Sequence, residues 1–230
     1  MHTIKAVFFD LDGTLVDSLP ALYEGIRRYS LGHRLPDPGQ SRVGDMIGAG
    51  VRVLAERVMA WWRTQGVDVA AMSVDEVLLG FVKHWDEVGH SAVQPYPGVF
   101  EGIRQLRAQG VKTVLVTNKV RELTIALLKE KQALDAFDAI VTGSDCERLK
   151  PYPDMIERAL TLVQTAPECA LMVGDSRNDA LAARAAGVPA ALVLTGYNEG
   201  EPMSQWAKEN GFPMVCPDAA AVCRAILESR

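Results

Sequence analysis

The sequence predicts an α/β protein built on a doubly wound parallel sheet. Three observations carry this expectation. Short strand-like runs alternate with helical patterns, most of those runs are solidly apolar, and one long segment interrupts the alternation with helices alone. Strands covered on both faces have no solvent side, so they lose the apolar–polar alternation of a half-exposed sheet. Strand and helix in alternation imply right-handed βαβ units.

The first run, Lys5–Phe9, ends at Asp10. From Asp17 to Pro95 no strand-like run follows; helical patterns cover Pro20–Ser30, Val51–Arg63 and Ser73–Glu87. Pro95-Tyr96-Pro97-Gly98 closes this stretch with turn residues. Val99, Ile103 and Leu106 then share a helix face, and Gly110 stops that helix. Lys112–Val116 is the second strand, Leu123, Leu127 and Leu128 mark a helix, and Ala139–Thr142 is the third strand. Asp154 opens a helix carrying Ile156, Leu160 and Val163. Ala170–Val173 is the fourth strand, followed by the alanine-rich NDALAARAAGV, whose Gly187 stands where positive φ costs little. Ala190–Leu194 and a fainter Met214–Cys216 complete the sheet. The expected architecture is a Rossmann-like core of residues 1–16 and 96–230 with a small all-helical cap domain, residues 17–95. Such an insertion would lie over the carboxyl edge of the sheet, where open α/β folds bind ligands.

Composition narrows the partners. The chain has 230 residues, 48% hydrophobic and 23% charged, with a net charge of −5. An acidic balance argues against nucleic acid or an anionic membrane, both of which select basic surfaces. A small anionic molecule stays open, because a local cluster of donors can outweigh the global sign. No stretch approaches the roughly 20 apolar residues of a membrane span, and MHTIKAVFFD is too short an apolar run for a signal peptide. The four cysteines form no C-x-x-C pair and read as reduced thiols of a cytoplasmic protein. The four histidines form no H-E-x-x-H zinc motif. Monomer and homodimer are both compatible with the sequence.

The residues after the strands carry the chemistry. They read Asp10-Leu11-Asp12-Gly13-Thr14, Thr117-Asn118-Lys119, Lys150-Pro151 after a loop, and Gly174-Asp175-Ser176-Arg177-Asn178-Asp179. A parallel sheet brings its carboxyl ends to one edge, so these groups can converge. Each has a plainer reading. A lone D-x-D is weak, Thr117 could satisfy backbone, Lys150 could be solvated, and Asp175 or Asp179 could cap a helix. Together they form a set suited to phosphoryl transfer. One carboxylate can attack phosphorus, and a second can exchange protons with the leaving group and water. A hydroxyl and backbone N–H groups can hold phosphoryl oxygens. Lysine and a Mg²⁺ ion on oxygen ligands can offset the repulsion between anions.

DLDGTLVDS, VTNK, LKPYPD and VGDSRND resemble, in order and spacing, the four motifs of the haloacid-dehalogenase superfamily of phosphatases. An insertion after the first motif matches the subgroup with a helical cap there. SRVGDMIGAGVRVLAER, LVTNK, GDSRNDALAARAAGV and TGYNEG are similar to its bacterial phosphoglycolate phosphatase branch. The resemblance implies Asp10 as nucleophile and Asp12 as general acid/base. It implies Thr117 and the Asn118 backbone as phosphoryl binders, with Lys150 neutralising charge. Mg²⁺ would be held by Asp10, the Asp12 main-chain carbonyl and Asp175, while Asp179 would orient Lys150 or a metal-bound water. The implied substrate is a small phosphate monoester, 2-phosphoglycolate first, with a sugar phosphate, an amino-sugar 6-phosphate or pyrophosphate as alternatives. Tyr152 departs from the histidine that relatives often carry after Lys-Pro.

The cap should set the substrate. Gly44, Gly48 and Gly50 allow close backbone approach, with Arg52 or Arg42 available for a substrate carboxylate. A turn and a solvated helix face is the alternative reading of this stretch. It is no dinucleotide fingerprint, since G-x-G-x-x-G fails at Val53. Trp61-Trp62 reads as packing within the cap. Phosphonate cleavage would need a cap lysine, and Lys83 is the only one there. A phospho-acceptor signalling module would also gather Asp, Thr and Lys at a sheet edge. Its acceptor would not end the first strand, and its edge would be left uncovered.

Overall fold

A computed structural model describes residues 3–48, 50–88 and 92–229. The chain begins with strand β1 (Ala6–Phe9) and a two-residue strand β2 (Val16–Asp17), then enters helices α1 (Leu19–Gly32), α2 (Gln40–Met46), α3 (Val51–Thr64) and α4 (Val74–Val88). It returns through β3 (Gln94–Pro95) to α5 (Val99–Ala108), β4 (Lys112–Thr117), α6 (Arg121–Glu130) and β5 (Ala139–Thr142). Next come α7 (Asp154–Val163), β6 (Ala170–Gly174), α8 (Arg177–Ala185) and β7 (Ala190–Val193). The chain closes with α9 (Met203–Glu209), β8 (Val215–Cys216) and α10 (Ala219–Glu228).

Six strands form one sheet in the order β5-β4-β1-β6-β7-β8, and every pairing in it is parallel. The expected Rossmann-like core is present. Successive residues of β1 serve opposite faces. Val7 and Phe9 pack with α5 and α10, while Ala6 and Phe8 pack with α7, α8 and α9. All four are fully buried, which is why the run shows no alternation. The chain moves outward from β1 through β4 to β5, then crosses to β6 on the other side. The reversal happens at β1, so the crevice for a ligand opens at its carboxyl end.

The strands β2 and β3 pair antiparallel, Val16 with Pro95 and Asp17 with Gln94. This ribbon carries the chain into and out of the helical segment. The sequence had suggested only helices and loops between Asp17 and Pro95; two-residue strands are too short to leave a periodic trace. The helix α2 was likewise unforeseen, because it buries only Val43. Helix α4 starts with a capping box, Glu76 N donating to Ser73 Oγ (3.1 Å) and Ser73 N to Glu76 Oε2 (3.2 Å).

Helices α1–α4 enclose a core of their own, including Ile26, Leu54, Val58, Trp62, Val77 and Phe81. Trp62 is fully buried there and donates its Nε1 proton to Pro36 O at 2.9 Å, while Trp61 lies under the Arg42 guanidinium. Helices α1 and α4 approach through two glycines that accept the neighbouring ring. A Cβ on Gly25 would lie 2.0 Å from Trp85, and one on Gly80 would lie 2.2 Å from Tyr29. Alanine should gain up to about 1 kcal/mol in helix propensity but lose about 1–3 kcal/mol to overpacking. Gly80→Ala is therefore expected to lower the urea midpoint of unfolding, and an unchanged or raised midpoint would contradict the packing.

Candidate active site

The residues after β1 are shaped by a tight turn. Asp10 N donates to Val173 O at 2.9 Å, extending the β1–β6 ladder by one bond. Gly13 N then bonds Val16 O at 2.8 Å. Gly13 has φ of +89°, and a Cβ there would lie 2.3 Å from Asp175 Oδ2. Glycine is required twice at this position, for backbone conformation and for room. The turn aims the buried Thr14 hydroxyl at Asp175 Oδ1, 2.6 Å away. Asp175, directly after β6, also accepts the Tyr197 N–H at 2.7 Å.

Lys150 stands at the centre and is 5% exposed. Its ammonium donates to Asp10 Oδ1 (2.7 Å), Asp179 Oδ1 (2.6 Å) and Val116 O (2.8 Å), so all three N–H groups are committed. Its main chain is braced by Asn118, whose side chain donates to Lys150 O and accepts from Lys150 N, both at 3.0 Å. Asp179 is fixed from its other oxygen by Ser176, which caps α8, with Ser176 Oγ at 2.7 Å. The capping reading of Asp179 is thus correct, and compatible with its place beside Lys150.

The Asp12 side chain has a different partner. Its carboxylate meets Lys119 Nζ at 3.1 and 3.2 Å. Lys119 is a site residue that the sequence reading passed over, although it sits two residues after Thr117. Thr117 Oγ1 accepts the Lys119 N–H at 3.2 Å, and among the described residues no acceptor takes its own proton.

The charges explain the electrostatics. Oxygens of Asp10, Asp175 and Asp179 lie within 4.8 Å of one another, all buried. Burial pushes the Asp10 carboxyl up to about 7 although Lys150 pulls it down, and Asp179 raises it further. Burial and the charges of Asp10 and Asp179 hold Asp175 well above the usual carboxylate range. Burial would lower the Lys150 ammonium, but Asp10 and Asp179 outweigh it and keep Lys150 above its ordinary value. With all three ionised, the carboxylates against one ammonium leave two negative charges in excess. Oxygen donors, this spacing and that excess suit a hard divalent metal, and the three aspartates form a set able to coordinate one.

A cavity of about 90 Å³ opens above these groups. Its lining includes Asp10, Asp12, Thr117, Asn118, Lys119, Lys150 and Asp175. Leu22, Ile47, Gly48, Gly50, Val51 and Leu54 face them from the helical layer, so Gly48 is brought to the site. Arg52 is not among the lining residues; it pairs with Asp75 at 2.6 Å on an exposed face. Arg42 stacks on Trp61 instead. Tyr197 and Asn178 line the cavity as well, and their quoted motifs, TGYNEG and VGDSRND, were the only signal for them.

The profile of the haloacid dehalogenase-like hydrolase family matches residues 7–193. The chain belongs to that family. A phosphoglycolate phosphatase of Thiobacillus denitrificans is 33% identical over 222 residues, covering 96% of this chain and 97% of its own. One from Escherichia coli K12 is 35% identical over 212 residues, covering 86% and 84%. A solved structure described as a predicted phosphoglycolate phosphatase from Haemophilus somnus superposes with a TM-score of 0.88 at 28% identity, over 98% of this chain and 99% of that one. In this hydrolase the helices α1–α4 form the family's cap. Among the described residues, no helix is long and apolar enough to cross a membrane.

Proposed function

We propose that this hydrolase is a Mg²⁺-dependent phosphatase of small phosphate monoesters, with 2-phosphoglycolate as the leading substrate. The observation that carries it is the buried triad of Asp10, Asp175 and Asp179, with Lys150 bridging Asp10 and Asp179, beneath a small cavity. Residues 17–95 act as a cap domain over a core of residues 1–16 and 96–230, and the protein works in the cytoplasm.

The side chains divide the reaction between them. An Asp10 oxygen attacks phosphorus, and the bond to the leaving oxygen breaks as an aspartyl-phosphate forms. Asp12, held at the cavity wall by Lys119, gives its proton to the leaving alkoxide. Asp12 then takes a proton from water as that water attacks phosphorus, releasing phosphate and restoring the Asp10 carboxylate. Thr117 offers its uncommitted O–H to a phosphoryl oxygen, and the Asn118 backbone N–H supports another. Lys150 holds Asp10 in place and keeps positive charge beside the transferring group. Mg²⁺ on Asp10, Asp175 and Asp179, with the Asp12 main-chain carbonyl, would supply the remaining charge compensation.

Two observations support a small ester. The named relatives are phosphoglycolate phosphatases, and the cavity is confined to about 90 Å³. One observation favours a second reading. The helical layer lines the cavity with apolar residues and glycine, and among the described lining residues it contributes no cation. The uncapped start of α3, at Gly50 and Val51, offers only backbone N–H groups to an anion. An uncharged alcohol, as in a sugar phosphate, suits that wall. A panel of esters assayed with Mg²⁺ and again with EDTA decides. Phosphoglycolate should exceed sugar phosphates and pyrophosphate in kcat/KM by about tenfold or more, and EDTA should stop the reaction. A smaller preference selects the second reading; full activity in EDTA removes the metal.

A further inference from the structure

We propose that Glu199 is a positioning residue that latches the helical layer shut over the Asp10 cleft through Arg57, in register with a hydrogen bond from Asn178 to Gly48. Arg57, on α3, donates Nη2 to Glu199 Oε1 at 2.8 Å across 142 positions of sequence. The same guanidinium donates Nη1 to Met46 O at 2.8 Å. Two residues further on, Gly48 O accepts Asn178 Nδ2 at 2.9 Å. The cavity-forming loop is therefore gripped at Met46 by its own layer and at Gly48 by the sheet's edge.

Glu199 is placed for this contact at a conformational cost. Its φ is +52°. Among the described residues the other non-glycine positions with positive φ are Arg34, Gln132 and Gln164, and each lies just beyond a helix end, where that conformation is ordinary. Glu199 instead stands in the Asn198–Glu201 turn, where Glu201 N donates to Asn198 O at 3.0 Å and Gly200 also has positive φ. A non-glycine residue held in this region is strained and persists where surroundings demand it. The surroundings here are that turn and two cations, Arg57 from α3 and Arg177 from α8, the latter 3.8 Å from Glu199 Oε2. The loops also meet without spare room, since a Cβ on Gly48 would lie 3.3 Å from Glu199 Cγ.

The covalent connection between the layers is the β2–β3 ribbon, so a noncovalent tie must set how far the helical layer closes. A substrate that binds the closed form has its apparent affinity reduced by the fraction of protein that is open. Glu199→Gln and Arg57→Glu should each raise KM for the preferred ester about tenfold with kcat changed much less. The double variant Arg57→Glu with Glu199→Arg should recover most of that loss.

A second measurement does not depend on turnover. Hydrogen exchange in the full-length protein should speed up about tenfold at residues 54–58, the first hydrogen-bonded amides of α3, in Glu199→Gln, while α1 and α4 keep their protection. If no ester is hydrolysed, exchange still decides the latch, and the functional reading falls alone. Wild-type KM and wild-type exchange in Glu199→Gln would overturn the latch. So would protection lost throughout α1 and α4, or a double variant that folds without recovering KM.

Discussion

Asp10→Asn is expected to abolish turnover, by on the order of 10⁴-fold or more, in a protein that keeps its fold. The substitution keeps the shape of the side chain, and its amide oxygen can still accept from Lys150, now 2.7 Å from Asp10 Oδ1. What disappears is the anionic oxygen proposed to attack phosphorus. The fold should not suffer, because Asp10 is one of three buried carboxylates and its charge raises Asp175. Removing it relieves repulsion, so the melting temperature should hold or rise. Acid-quenched reactions with a radiolabelled ester should trap phosphate on the wild-type chain and none on the variant. Substantial turnover by an Asp10→Asn preparation free of deamidated protein would exclude Asp10 as the nucleophile.

Lys150→Met is expected to damage stability and activity together. Three acceptors lose their shared donor at once, Asp10, Asp179 and the Val116 carbonyl. Breaking a buried ion pair from one side typically costs about 3–5 kcal/mol, and a chain of this length loses roughly 2–4 °C per kcal/mol. The pH dependence has a definite sign. Asp10 already binds its proton more tightly in the folded protein than at its ordinary value of 3.8, and Lys150 is the group that pulls it down. Without Lys150 the folded carboxyls hold protons to still higher pH, so folding is favoured while they are protonated and penalised as they ionise. The loss in melting temperature should be small near about pH 5 and large near about pH 8. Turnover should fall by about 10²-fold or more, and arginine should not rescue it, since a planar fork cannot converge three donors on these acceptors. A melting temperature equal to wild type at the higher pH would mean that the cluster does not carry the charges assigned to it.

The core strands and the candidate site groups at their ends were legible because burial on both faces writes itself into local composition. Val7, Phe9, Ala6 and Phe8 sit side by side in the chain and serve opposite faces, so an unbroken apolar run is the direct imprint of two covered surfaces. Asp10, Thr117 and Asp175 directly follow such runs, and Lys150 lies in a connection between them. The contacts that went unread are tertiary. Asp12 finds Lys119 across 107 positions, and Arg57 finds Glu199 across 142. Neither leaves a periodic mark. Arg52 and Arg57 show the limit on one helix. Five residues apart, they point about 140° away from each other, and nothing local says which faces Asp75 and which faces the sheet's edge. The short ribbon of β2 and β3 and the helix α2 were missed because so few of their side chains are buried.

The position of β1 in the middle of the sheet has a consequence for how the molecule is made. Its partners are Lys112–Leu115 on one side and Ala170–Val173 on the other. A growing polypeptide releases the Val7-Phe8-Phe9 segment from the ribosome first, and the second neighbour emerges only some 160 residues later, roughly ten to thirty seconds at ordinary elongation rates. Helices α1–α4, whose contacts are mostly with one another, can pack during that wait. The sticky first strand has to be kept from strangers until β6 has been made, and Asp10 meets Lys150 and Asp175 only then.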